Sequence, residues 1–175
     1  QRPVRGTRGA YRVNLRHGVS RFALGQKAHS RDGFPRRLMM DSLFDEETGG
    51  SERIGEGAVV LHGFARAASP ALLKDLATIA EASPFRHMIT PGGYRMSVAM
   101  TNCGAAGWVS DARGYRYDAL DPATGLAWPA MPNSFRRLAV DAAMAAAYQG
   151  FDPDACLINR YEPGARLTLH QDKNE

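Results

Sequence analysis

The residues best suited to chemistry lie near the end of the chain, in "RYEPGARLTLHQDKNE". His170 and Asp172 stand two apart in a run that reads as a strand, and residues i and i+2 of a strand share a face. An imidazole and a carboxylate would then sit side by side. Such a pair is two thirds of a 2-His-1-carboxylate facial triad, which holds iron(II) on one face and leaves other positions open. Nitrogen and oxygen donors without a thiolate favour Fe(II) or Mn(II) over a structural zinc site. The pair alone is weak, because a strand end whose His and Asp meet through water has the same spacing. The preceding run "LINRY" adds weight. Asn159 and Tyr161 are again two apart, and the Pro-Gly turn in "EPGA" should lay the two runs side by side. Four polar groups would converge where an apolar sheet face is otherwise expected. An amide and a phenol are neutral donors suited to a ligand carboxylate. Taken singly, Asn159 also reads as a turn residue at a strand end, and Tyr161 as a half-buried aromatic.

These strands need elements to hold them. "AVVLHGF" is a short strand run. "SPALLKDLATIAEASP" reads as a helix with Ser69 as N-cap and Pro70 in the first helical position. Leu72, Leu73, Leu76, Ile79 and Ala80 form its apolar face, and Ser83-Pro84 ends it. "TPGGYRMSVAMTNCG" is a glycine turn followed by an alternating strand. "AAGWVSDARGYRYDALDPATGLAWPAMP" reads as loop-rich. "NSFRRLAVDAAMAAAYQG" is a second helix, capped near Asn133 and closed by Gly150.

The 175 residues suit one domain with a real core. No apolar run approaches the roughly 18 residues a membrane helix needs. Cys103 and Cys156 are far apart in sequence and in no metal-ligand spacing. They read as buried thiols in a reducing compartment, the cytoplasm. The net charge of +4 hides a split: residues 1–40 carry +9 and residues 41–175 carry −5. The basic first part shows no sustained period of 2 or 3.6. It fits a disordered phosphate-binding arm, a transit peptide, or sequence upstream of a natural start at "MMDSLFDEETGG". The last of these is the preferred reading. Residues 1–39 are then a leader, and residues 40–175 the domain.

Several separated motifs, in order, carry a further signal. "SPFRHMITPGGYRMSVAMTNCGAAGW", "GYRY", "WPAMP" and "DACLINRYEPGARLTLHQDKNE" together strongly resemble the AlkB family of iron(II)/2-oxoglutarate dioxygenases that repair alkylated bases, its bacterial branch in particular. The resemblance covers about residues 40–175. It implies a mainly β, α+β fold: a double-stranded β-helix, or jelly roll, with N-terminal helices and a nucleotide-recognition lid. By the same resemblance His170 and Asp172 match the first two iron ligands. Asn159 and Tyr161 match residues that bind 2-oxoglutarate, and Arg160 between them is counted with that cofactor-binding stretch. Trp108 matches a lid aromatic over the base pocket. Tyr115, Arg116 and Tyr117 match a stretch that touches the nucleic acid, and Thr90, Tyr94, Met96 and Ser97 lie in the matching part of the lid.

The implied reaction is oxidative demethylation of N1-methyladenine- or N3-methylcytosine-type lesions, using Fe(II), 2-oxoglutarate and O2. A methyl on a ring nitrogen offers a hydrolase no leaving group. Oxidised to an N-hydroxymethyl group, it falls away as formaldehyde, with the cofactor doing the hard chemistry. The base must be flipped out or already single-stranded, and aromatic walls hold it by stacking. The implied partner is single- or double-stranded DNA, with RNA as the alternative. The protein is expected to be a monomer with no membrane attachment.

Two departures from the family pattern stand out. The family's third iron ligand and its 2-oxoglutarate-binding arginines would lie beyond Glu175. The chain is therefore expected to be an incomplete, inactive part of an enzyme. Asn174 stands where bacterial relatives often carry an acidic residue near the base's exocyclic amine, which leaves the base preference open. Two rival readings are a non-catalytic single-strand-binding module and a related dioxygenase acting on RNA or tRNA.

Overall fold

The computed structural model describes the backbone of residues 10–17 and 20–25, and residues 50–165 in full. In chain order the elements are β1 (Ala10–His17), β2 (Ser20–Gly25), β3 (Ser51–Gly55), β4 (Ala58–Leu61), α1 (Ser69–Ala82), β5 (Arg86–Ile89), β6 (Arg95–Gly104), β7 (Gly107–Asp111), β8 (Gly114–Asp118), α2 (Asn133–Ala145) and β9 (Ala155–Tyr161). The described residues are thus mainly β with two helices. Five strands form one sheet in the order β2-β1-β9-β6-β5, and β3-β4 and β7-β8 are separate two-stranded ribbons. Every pairing in the large sheet is antiparallel. Among the described residues no helix is long and apolar enough to cross a membrane.

Alternation along β9 and β6 divides the core in two. Cys156 and Ile158 of β9 and Cys103 of β6 turn toward the helices and pack with Leu76, Ile79, Phe135, Ala139 and Ala143. Val98 and Met100 of β6 belong to a second cluster with Met88, Val109 and Trp128. Leu157 and Tyr161 of β9 pack against that second cluster. A period of two sends odd and even residues of β9 to different faces, so the even positions serve the helices and the odd positions the other side.

Both helices form where the sequence predicts them, with different ends. The N-cap of α1 is Ala68. Ser69 is already helical, and its hydroxyl donates to the Ala65 carbonyl at 2.9 Å. The N-cap of α2 is Pro132, and the helix closes at Ala145, well before Gly150. Ala147 takes a left-handed conformation (φ 66°), and the Tyr148 N–H bonds back to the Ala143 carbonyl at 2.8 Å. That early turn lets Tyr148 and Phe151 pack into the helix-side cluster, which outweighs the helical preference of the alanine run.

Two stretches read as irregular contain strands. The basic first part supplies β1, which pairs with β9 from Ala10↔Tyr161 to Arg16↔Ala155. Its "YRVNLR" alternates apolar and polar residues over a span too short to stand out among scattered arginines. The stretch after Gly104 supplies the β7-β8 hairpin, in register Trp108↔Tyr117 and Ser110↔Tyr115. Glycines and charges break up its alternation, but aromatic and β-branched residues suit a ribbon packed on a core. Gly114, after the two-residue turn, has φ +109°, a conformation that favours glycine.

The loop from Asp118 to Trp128 clamps this hairpin in place. The Arg86 guanidinium forms a two-pronged pair with the buried Asp121 carboxylate at 2.6 and 2.5 Å. It also lies 5.4 Å over the Trp128 ring. The Trp128 indole N–H donates to the Asp118 carbonyl at 2.9 Å. The ring packs so closely on Gly107 that a Cβ there would fall 2.3 Å from it.

Candidate functional site

The second face of the sheet, where β7 lies against β5, β6 and β9, gathers most of the residues singled out from the sequence. Asn159 is buried (5% exposed) and pairs with Met100 of β6. Tyr161, two residues on, packs against the Met88–Met100–Val109 cluster, as do Met96 and Trp108. Asn159 and Tyr161 therefore share the face that Trp108 borders. Arg160 does not join them. Strand alternation turns it to the helix side, where its guanidinium lies 4.9 Å over the Phe85 ring and donates to Glu162 at 3.3 Å. Its Nε is buried without a hydrogen-bond partner.

Trp108 and Tyr115 stack diagonally across the β7-β8 ribbon, with centroids 5.7 Å apart and planes 17° from parallel. Tyr117 is directly opposite Trp108. This arrangement gives the hairpin an aromatic surface, with Tyr115 itself exposed. Arg116 pairs with Val109 rather than Trp108 and so occupies the other face of the ribbon. There its Nη1 and Nη2 donate to the two Asp111 carboxylate oxygens at 3.0 and 2.9 Å, and its Nε reaches Asp118 at 3.4 Å. The paired guanidinium, with the Arg113 backbone N–H, holds the Asp111 carboxyl well below the usual carboxylate range. The same contact, opposed by desolvation, raises the Arg116 guanidinium further. Arg116 thus spends its charge within the hairpin.

The turn between β5 and β6 borders the same region. The Thr90 N–H donates to the Tyr94 carbonyl and the Gly93 N–H to the Thr90 carbonyl, both at 2.8 Å. The Tyr94 N–H reaches the Thr90 hydroxyl at 3.1 Å. Tyr94 is 77% exposed at the tip. Met96 points to the site face, while Ser97, next in the strand, falls on the other.

Sequence reasoning missed Asn102. This fully buried amide on β6 bonds both ways to the peptide of Trp108: Oδ1 accepts its N–H at 2.9 Å and Nδ2 donates to its carbonyl at 3.0 Å. The available signal was a lone amide in the otherwise buried run "VAMTNC".

His170, Asp172 and Asn174 lie outside the described residues. Among those described, no group of three or more His, Cys, Asp or Glu could hold a metal. The turn leading toward them is described as far as Ala165, whose N–H closes on the Glu162 carbonyl at 2.9 Å, with Gly164 at φ +89°. That is the turn the Pro-Gly pair predicted; the second run of the expected hairpin lies outside the described residues.

The chain is also similar to known proteins. The family model of the 2OG-Fe(II) oxygenase superfamily matches residues 57–175. The chain belongs to that superfamily. Relatives that bear the AlkB name are similar to it. The chain is 57% identical over 137 residues to the alpha-ketoglutarate-dependent dioxygenase AlkB of Salmonella typhimurium, and 55% identical to that of Escherichia coli. Each match covers 78% of this chain and 63% of the relative. An AlkB homolog of Caulobacter vibrioides is 44% identical over 108 residues, 62% of this chain and 47% of that protein. The chain thus spans between about half and somewhat less than two thirds of the length of these curated relatives.

Proposed function

We propose that the protein is an iron(II)- and 2-oxoglutarate-dependent dioxygenase that removes alkyl groups from nucleic-acid bases. The observation that carries this reading is the juxtaposition of Asn159 and Tyr161 with the Trp108–Tyr115 stack on one side of the sheet. A buried amide and a phenol beside an aromatic platform suit a small dicarboxylate and a flat base as neighbours.

The donor set fits the metal. His170 and Asp172 offer one imidazole nitrogen and one carboxylate, the hard and borderline donors that suit Fe(II). Iron held there would supply hydroxylation of a carbon bound to a ring nitrogen, with O2 as oxidant and 2-oxoglutarate decarboxylated to succinate and CO2, the hydroxymethyl group then leaving as formaldehyde to restore the base. The chain's own residues bind and orient. The Asn159 amide and the Tyr161 hydroxyl donate to 2-oxoglutarate oxygens. Trp108 and Tyr115 form the wall on which an unpaired base stacks. Tyr117, Thr90, Tyr94 and Met96 line the approach. Arg116 and Ser97 act on the nucleic acid only indirectly: Arg116 braces the hairpin, and Ser97 lies on the strand's other face. Arg160 supports β9 instead of touching the co-substrate. Asn174 contributes a neutral amide to the choice of base.

In this reading residues 40–175 belong to a jelly-roll domain whose lid is the β5-β6 turn together with β7-β8. The substrate is DNA carrying N1-methyladenine or N3-methylcytosine, and the protein acts as a monomer in the cytoplasm. The test is calorimetric titration of 2-oxoglutarate into the full-length protein with anaerobic iron(II). Binding is expected, and Asn159→Ala should weaken it about tenfold, as loss of a hydrogen bond to a charged group would. Undiminished affinity in that variant would remove Asn159 from the co-substrate site.

A further inference from the structure

We infer that Asn102 is a positioning residue for base binding, fixing the Trp108 peptide so that the indole stands ready to stack. The inference rests on the proposed role of Trp108 and adds to it the group that sets its orientation. β7 leaves the main sheet to form its own ribbon, so a strand partner on that side is not supplied by β8. Asn102 fills the place. Its side-chain amide presents one acceptor and one donor to the N–H and carbonyl of a single residue, as a neighbouring strand's peptide would.

Asn102 is itself held from below. Asn102 is fully buried, and Leu157 lies directly opposite it on β9. The turn joining β6 to β7 is pinned by Gly104 N–H to Pro129 carbonyl and Ala105 N–H to Asp154 carbonyl bonds, both 2.8 Å. A buried amide is costly unless its bonds are made. Here the two described bonds converge on Trp108, the residue whose ring stacks on Tyr115. The strand carrying Asn102 and Met100 also pairs with Asn159, so one sheet sets both the co-substrate residues and the base wall. Fixing the wall in advance removes an ordering cost from substrate binding.

The test compares two affinities in the full-length protein: for a single-stranded oligonucleotide carrying 1-methyladenine, by fluorescence anisotropy, and for 2-oxoglutarate, by calorimetry, both anaerobically with iron(II). Trp108→Ala is expected to weaken the oligonucleotide about tenfold or more, the scale of one base–aromatic stack. Asn102→Leu should produce a similar loss while leaving 2-oxoglutarate affinity unchanged. The double variant should bind no more weakly than Trp108→Ala alone, because both changes remove one function. Asn102→Asp, which keeps the acceptor and loses the donor, should fall between wild type and Asn102→Leu. Additive losses, or an equal fall in 2-oxoglutarate affinity, would overturn the positioning role. Failure of both Asn102 variants to fold would reduce the residue to a structural one and overturn it as well. A harmless Trp108→Ala would instead remove the stacking role itself. A harmful Trp108→Ala beside a harmless Asn102→Leu would remove only the inference about Asn102.

Discussion

Asp111 accepts both prongs of the Arg116 guanidinium and the Arg113 backbone N–H, and these contacts lower its pKa below the ordinary carboxylate value. A group whose folded-state pKa is lowered stabilises the fold above its unfolded pKa, about 3.9 for Asp. That stabilisation is lost as pH falls through the lower, folded value. The stability gap between wild type and Asp111→Asn should therefore be constant at neutral pH and narrow only in strong acid. Urea denaturation across that range checks it, and a gap that is unchanged down to the acid limit would show that the pair is not coupled to folding. Cys103 and Cys156 make a second residue-scale case. They are directly opposite on β6 and β9 and both fully buried, and burial pushes the Cys156 thiol well up. Neither should react with a thiol reagent in the native protein, and both should react in denaturant. Rapid modification without denaturant would mean that β6 and β9 separate readily.

The β7-β8 hairpin shows at the scale of elements why the site needs more than its contact residues. Trp128 closes on the bare backbone of Gly107, and no Cβ fits between them. Gly107→Ala should cost about 1–3 kcal/mol, the range for overpacking a filled core, and should disturb the Trp108 stack. Denaturant unfolding with tryptophan emission as the probe reads both, and a wild-type midpoint with unaltered emission would contradict this packing. The same hairpin marks the limit of sequence reading. Strand spacing placed Asn159 and Tyr161 on one face because a period of two leaves little freedom, and that same rule turns Arg160 away. The apolar stripe of α1 was equally legible, since five matching positions accumulate along it, whereas α2 was read from its capping residues and its ends moved. The hairpin was obscure because its regularity lies across strands, in Trp108 opposite Tyr117, and no local pattern records that. Nor does sequence disclose that Arg116 is occupied by Asp111, or that Asn102 bonds to a residue six positions later. Those facts exist only once the chain has turned back on itself.

At the scale of the whole molecule, one antiparallel sheet of the described residues separates a helix-packed core from the face that carries Asn159 and Tyr161. β9 is its central organiser, pairing with β1 on one side and β6 on the other. Superfamily membership and the AlkB relatives agree with the order of the motifs in the sequence. Because the chain spans 63% of the length of each of those two relatives, activity is a property to be measured on the full-length protein. The most direct measurement is mass spectrometry of a single-stranded oligonucleotide carrying one 1-methyladenine, incubated with that protein, iron(II), 2-oxoglutarate and air. Loss of the methyl group is expected only when 2-oxoglutarate is present, with formaldehyde released in equal amount, and this activity should be lost in Trp108→Ala at low oligonucleotide concentration. An oligonucleotide that is bound but unchanged in mass under the complete conditions would contradict the proposed function.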